Sequence, residues 1–180
     1  KVTGQKYNDG LLIDAIYKQN ETEHLWGEVC ILNQAIPAPL DQRALFVLYF
    51  PGFQLFYLPE TPDLYREIRD EVKERVKEGI AAWPFERARL LHDSQPPWHW
   101  MKVFRIPEQY GAVSVGSQYA FCGGCTYDED ENGIWHVPKT LKEQGIELRT
   151  REAAVNHLAS KMINRTMMSM FCAIPGPKNK

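Results

Sequence analysis

Apolar and polar positions alternate along this chain in blocks that suggest both strands and helices. The densest block is Leu45 to Leu58, LFVLYFPGFQLFYL, two six-residue apolar runs hinged on Pro51-Gly52. Nearly every position in it is apolar, so both faces should be covered, as in a strand buried on two sides. The expectation is two strands, 45–50 and 53–58, joined as a bulged hairpin or a single kinked strand. Upstream, Leu11 to Tyr17 and Leu25 to Leu32 are apolar-rich and separated by the polar stretch Gln19 to Glu23. They read as a strand pair.

The clearest helix comes next. Thr61 suits an N-cap, Pro62 the first helical position, and Asp63 the positive end of the helix dipole. Leu64, Ile68, Val72 and Val76 then recur at every fourth residue, broadened by Tyr65, with charged residues between them. Glu71 and Arg75 have the favourable i,i+4 order, and Gly79 can end the helix. The pattern predicts a surface helix over about 61–78 with one buried stripe. Further on, 83–92 reads as a short helix stopped by Pro96-Pro97, and 100–106 and 112–121 as strands. Asp128 to Gly133 reads as a turn, 134–137 as a short strand, and 138–144 as a short helix ended by Gly145. Thr150 caps a final helix over about 150–171. Strands in pairs rather than in strict alternation with helices give an α+β fold, with a mostly antiparallel sheet on which the two long helices pack. The reading places one domain at 1–174 and a flexible tail at 175–180.

Composition changes this picture little. At 44% hydrophobic and 24% charged residues the chain has ordinary globular usage. Its net charge of −2 gives no global pull toward nucleic acid or anionic membrane. No signal peptide or membrane span is visible in its 180 residues. The four cysteines, Cys30, Cys122, Cys125 and Cys172, are too sparse for a disulfide scaffold. A cytoplasmic location with reduced thiols and no membrane contact is the expectation.

Candidate chemistry is scattered. Cys122-Gly-Gly-Cys125 can converge two thiolates on a zinc ion, with His136 and Asp128 (or Asp130) completing the set. The competing reading is two small residues on a turn. Val115-Gly116-Ser117 followed by Asp128-Glu129-Asp130 resembles the nucleotidyltransferase pattern of a Gly-Ser turn and two carboxylates holding magnesium. Glu129 stands where that pattern wants a buried apolar residue. Arg87 and His92 have a spacing similar to that of HEPN-group ribonucleases, which are all-helical. Trp98 and Trp100, after a diproline, can form a stacking platform or a core lid.

Residues 141–165 resemble a helix-turn-helix, with Gly145 in the turn. From Lys139 to Arg165 six Lys/Arg face three Asp/Glu. Arg149, Arg151 and Asn156 would then approach bases, and Lys161 and Arg165 phosphates. Two ordinary structural helices would look the same.

No Ser-His-Asp set, phosphate loop or H-E-x-x-H is present. The sequence therefore reads as a small soluble binding or accessory protein acting through protein–protein contacts rather than as an enzyme. The alternatives are a DNA- or RNA-binding protein using 141–165, and a metal-dependent or histidine-based nuclease or nucleotidyltransferase-like enzyme using Asp128, Asp130, His92 or His136.

Overall fold

The structure is a computed structural model. It describes residue 4 and residues 6–92, 95–122 and 127–164, with 122 and 162–164 described by their backbone only. Its elements run α1 (Asp9–Leu32), α2 (Gln42–Gln54), α3 (Thr61–Glu78), β1 (Ala88–His92), a 3-10 helix (Trp98–Phe104), α4 (Arg105–Glu108), β2 (Ala112–Ser117), α5 (Gln118–Cys122), β3 (Asp128–Glu129), β4 (Trp135–His136) and α6 (Arg151–Asn164).

Residues 11–32 form one helix rather than two strands. Asn8 caps it, its side chain accepting from the Gly10 and Leu11 amides at 2.9 and 3.3 Å. The polar stretch 19–23 is helical rather than a turn because its side chains are matched. Thr22 and Glu23 are buried, and Glu23 meets Lys161 of α6. The helix carries two apolar patches. Leu12, Ile13, Ile16 and Tyr17 pack against Leu141, Leu148 and Ala154. Leu25, Trp26, Val29 and Cys30 enter the main core with Leu45, Phe46, Tyr49, Tyr65 and Val72.

The 45–58 block is likewise helical through Gln54. Asp41 caps α2 by accepting from the Ala44 amide at 2.8 Å. Pro51 lies inside it, and the ladder is opened at that turn. The Gly52 amide donates to the Tyr65 hydroxyl at 2.7 Å, and that hydroxyl donates to the Leu48 carbonyl. Leu48 and Gly52 are the i and i+4 partners of an ordinary helix, so the tyrosine oxygen sits inside the missing bond. An apolar run with no polar face gives no period to separate helix from strand. Leu45, Phe46 and Tyr49 are buried, whereas Val47, Phe50 and Phe53 are exposed.

α3 matches its prediction in span. Tyr65 and Val72 are fully buried, the Glu71–Arg75 pair forms at 2.8 Å, and Gly79 adopts φ +68° at the C-cap. Thr61 differs, since its hydroxyl donates to the Leu55 carbonyl at 2.7 Å and so holds the end of α2. Leu48 and Ile68 pack on the same core, as expected, but Leu55 is exposed. α3 packs on α1, with Trp26 and Tyr65 edge to face at 6.0 Å.

The mostly antiparallel sheet is not found. β1 and β2 form a two-stranded parallel pair, and β3 and β4 a two-residue antiparallel pair. The long helices pack mainly on each other. The predicted helix at 83–92 is β1 at its end, and the predicted strand at 100–106 is the 3-10 helix and the start of α4. The connection 93–111 carries the chain from β1 back to β2, long enough for a parallel crossover. Residues 140–145 make a turn ending in Gly145 (φ +68°) rather than a helix, and Thr150 caps α6 through the Ala153 amide at 3.1 Å. Residues 165–171 of the predicted final helix, and the tail at 175–180, lie outside the described residues.

Two side chains fix the parallel pair to the end of α1. Asn33, buried, donates to the Leu40 and Val115 carbonyls at 3.2 and 2.7 Å and accepts from the Leu40 amide at 2.9 Å. Arg89 of β1 reaches the carbonyls of Asn33, Gln34 and Ala35 at 3.2, 2.9 and 2.8 Å. A cation at a helix C-terminus also complements its dipole.

Candidate functional site

In open parallel sheets ligands collect beyond the carboxyl ends of the strands. Here those ends are His92 and Ser117, which are register partners across the β1–β2 ladder. Neighbouring strands lie about 4.8 Å apart, so the two side chains stand side by side. Both contact the first turns of α2. Ser117 meets Gln42, whose Nε2 donates to Ser117 Oγ at 3.0 Å. His92 meets Phe46, one turn further on, with ring centroids 5.9 Å apart and nearly perpendicular. Asp41 caps α2 and thereby sets the angle at which Gln42 and Phe46 face the strand ends.

Aromatic rings surround these strand ends. Phe104 lies 5.2 Å from His92 and 5.8 Å from Phe46. Tyr119 lies 6.2 Å and Trp98 6.0 Å from Phe46. Trp98 is 51% exposed.

The polar atoms beside these rings are incompletely matched. Ser117 Oγ accepts from the Ala120 amide at 2.9 Å, as the cap of α5, and from Gln42. Two acceptances occupy both lone pairs, leaving the hydroxyl proton to be donated. Gln42 is 0% exposed, yet its Oε1 has no partner among the described residues. The buried Nε2 of His92 has none either. Each unmatched buried atom costs about 1–3 kcal/mol, and native proteins rarely tolerate a cluster of them. With the amide turned, the Ser117 hydroxyl would donate to Gln42 Oε1, so the pair ties α2 to β2.

The residues singled out by sequence lie elsewhere. Cys122 closes α5, five residues after Ser117, and Cys125 lies outside the described residues. His136 and Asp128 are cross-strand partners on β4 and β3, and His136 Nε2 bonds Asp130 Oδ2 at 3.1 Å. Hydrogen bonds from the Ile134 amide, from His136 and from the Asn132 amide hold the Asp130 carboxyl below its ordinary range. Among the described residues no group of three or more His, Cys, Asp or Glu converges as a metal site.

The basic residues of 141–165 do not form one phosphate-facing row. Arg151 bonds Asp9 at 2.7 Å and stacks over Tyr7 at 4.3 Å. Lys161 is turned inward onto both carboxylate oxygens of Glu23, at 2.6 and 2.7 Å. Arg149 pairs with Glu147, Asn156 is exposed, and Arg165 lies outside the described residues. The first helix of a helix-turn-helix is absent, since 141–150 is turn and loop. Arg87 does not join His92. It lies over the Phe85 ring at 5.5 Å. Gln42 is invisible to sequence reasoning, because a polar residue in the first turn of a helix carries no distinguishing signal.

Mixed helices surround a two-stranded parallel pair, and polar groups gather at the carboxyl ends of its strands. The comparisons with known proteins give the family. A model for 2-hydroxyglutaryl-CoA dehydratase, D-component, matches residues 1–175, and the chain belongs to that family. It is 26% identical over 155 residues to the alpha subunit of (R)-2-hydroxyglutaryl-CoA dehydratase of Acidaminococcus fermentans, covering 83% of this chain and 32% of that protein. The chain thus spans about a third of the length of that curated relative. No solved structure matches it.

This membership overturns the reading as a protein-binding accessory, and with it the nucleic-acid-binding and nuclease alternatives. The accessory reading rests on the lack of a complete catalytic constellation, and the nuclease alternative on short spacings whose residues the fold does not bring together. No helix among the described residues is long and apolar enough to cross a membrane.

Proposed function

We propose that this chain is part of an enzyme that removes water from a 2-hydroxyacyl-CoA thioester. The observation that carries this reading is the family match over residues 1–175. In such a reaction the C2–O bond and a C3–H bond break, a C2–C3 double bond forms, and one water leaves. The Acidaminococcus relative is a dehydratase subunit, and by analogy this chain works with a second subunit. The exposed apolar side chains Val47, Phe50 and Phe53, three residues apart along α2 and so on one face of it, support such an assembly.

The test uses extracts of the native host with the gene intact or deleted, supplied with (R)-2-hydroxyglutaryl-CoA. Mass spectrometry should find a thioester lighter by one water in the intact extract and not in the deleted one. Equal conversion in both would refute the proposal.

A further inference from the structure

We infer that Asn132 is a site of intramolecular deamidation, and that the carboxylate of Asp130 gates it. The inference stands apart from the dehydratase reading. Asparagine is a thermolabile residue. It is most labile before glycine, which places no side chain beside the amide nitrogen that must attack. The chain has one Asn-Gly pair, Asn132-Gly133. Both residues are exposed, at the tip of a hairpin whose strands are two residues each. A pair that short has little to hold it closed. Other asparagines are placed differently. Asn8 caps α1, the Asn20 carboxamide oxygen accepts from the Leu141 amide at 2.7 Å, and Asn33 is buried. None of the three precedes glycine.

In the closed turn the Gly133 amide, which is the nucleophile, donates to the Asp130 carbonyl at 3.0 Å. On either side of it, the Asn132 and Ile134 amides donate to Asp130 Oδ1 at 2.8 and 2.9 Å. Asp130 Oδ2 meets His136 Nε2 at 3.1 Å. The nucleophile is therefore occupied until this clasp opens, and local opening sets the rate. In the open turn the Gly133 nitrogen gives its proton to solvent, and its electron pair forms a bond to Asn132 Cγ. The Cγ–Nδ2 bond breaks, and ammonia leaves with a proton taken back from solvent. The product is a cyclic imide. Water then opens the ring at either carbonyl. Cleavage at Cγ gives aspartate, and cleavage at the main-chain carbonyl gives isoaspartate. Water is the only co-reactant. Isoaspartate routes the chain through Cβ and lengthens it by one methylene, so Asp130 Oδ1 can no longer span both amides.

A turn clasped so well that Asn132 persists is the competing account. It relies on the same bonds, but these lie at the surface, where residues 131–136 are all exposed. Hydrogen bonds open to water belong to the low end of local stability.

The test incubates the full-length protein at mildly alkaline pH, folded and in guanidinium chloride. Peptide mapping by mass spectrometry reads the Asn132 peptide, which gains the mass difference between NH2 and OH, and chromatography separates aspartate from isoaspartate. Asn132 should convert in the folded protein about tenfold more slowly than in the denatured chain, the factor that one hydrogen bond supplies. Asn8, Asn20 and Asn33 should keep their amides. Asp130→Ala should bring the folded rate within about twofold of the denatured one, with the thermal midpoint unchanged. Exchange of the Gly133 amide in the folded wild type, slowed by the same factor as the conversion, tests the gate even if the variant does not fold. An Asn132 that keeps its amide in the folded wild type while the denatured chain converts overturns the site. A rate that Asp130→Ala leaves unchanged in a folded protein, or Gly133 exchange as fast as in denaturant, overturns the gate.

Discussion

The hydroxyl of Tyr65 occupies the gap in α2 between the Leu48 carbonyl and the Gly52 amide. A side chain from one helix thereby repairs the ladder of another. A Cβ on residue 52 would stand 2.8 Å from that hydroxyl, so glycine is required there by space. Tyr65→Phe should cost about 1–3 kcal/mol, because it orphans a donor and an acceptor. Gly52→Ala should also destabilise despite the better helix propensity of alanine. Urea denaturation of both variants checks the pair. An unchanged midpoint for Tyr65→Phe would show that the bridge contributes nothing.

Burial raises the Tyr65 phenol well above its ordinary value near 10. The folded state therefore favours the neutral form. This contribution to stability is complete below pH 10 and is lost as pH rises toward the higher folded value. The wild type should lose stability steeply above about pH 10, and Tyr65→Phe should lose less over the same range. Parallel alkaline profiles would argue against this.

Asn33 spends its whole amide on backbone, joining α1, residue 40 and β2. Asn33→Ala should cost about 2–4 kcal/mol, the sum expected for several buried groups left unmatched. Asn33→Asp should be worse than Asn33→Ala, since a carboxylate would face the Leu40 and Val115 carbonyls that the amide now serves. Thermal unfolding ranks the three proteins, and a more stable Asn33→Asp would contradict the assignment.

His157 is held below its ordinary value first by burial and then by the Lys161 charge. Its neutral form is the one favoured by folding, so this contribution is present above about pH 6.5 and is lost as pH falls toward the lower folded value. Lys161→Met removes the cation and should raise the His157 value, read from its imidazole proton resonances during titration. A value that stays put would mean that burial alone sets it.

The Asp130 turn makes a local prediction. Its carboxylate bonds the Asn132 and Ile134 amides and His136. Protonation, which requires a pH below the ordinary carboxylate range, or Asp130→Asn, should speed amide exchange at Ile134 while leaving the global midpoint unchanged. Exchange at Ile134 that is insensitive to both would show that backbone geometry alone closes the turn.

The legible parts of the sequence are those with punctuation. Pro62, the every-fourth stripe to Val76 and Gly79 delimit α3, Thr150 starts α6, and Gly133 and Gly145 sit in turns at positive φ. α1 and α2 resemble strands in sequence for opposite reasons. In α1 the polar run mimics a loop because its partners, such as Lys161 for Glu23, lie far away along the chain. In α2 the apolar run has no polar side to show its period. Ser117 and His92 each fall within short patterns that suggest other chemistries. Strand register brings them together, and that register depends on the 93–111 connection, whose length is visible in the sequence but whose path is not.

The clasp of Arg89 on the carbonyls just past α1 gives the strand ends a mechanical character. Arg89 lies three residues before His92, and the carbonyls it holds belong to the segment that leads into α2 and Gln42. Gln42 and His92 are therefore spokes of one short closed circuit, from the end of α1 through β1 and across the ladder to β2, then back through α2. Opening of the turn just past α1 breaks that circuit at a point remote from the strand ends. Release of Asn33 to Ala35 and separation of β1 from α2 should thus be a single event.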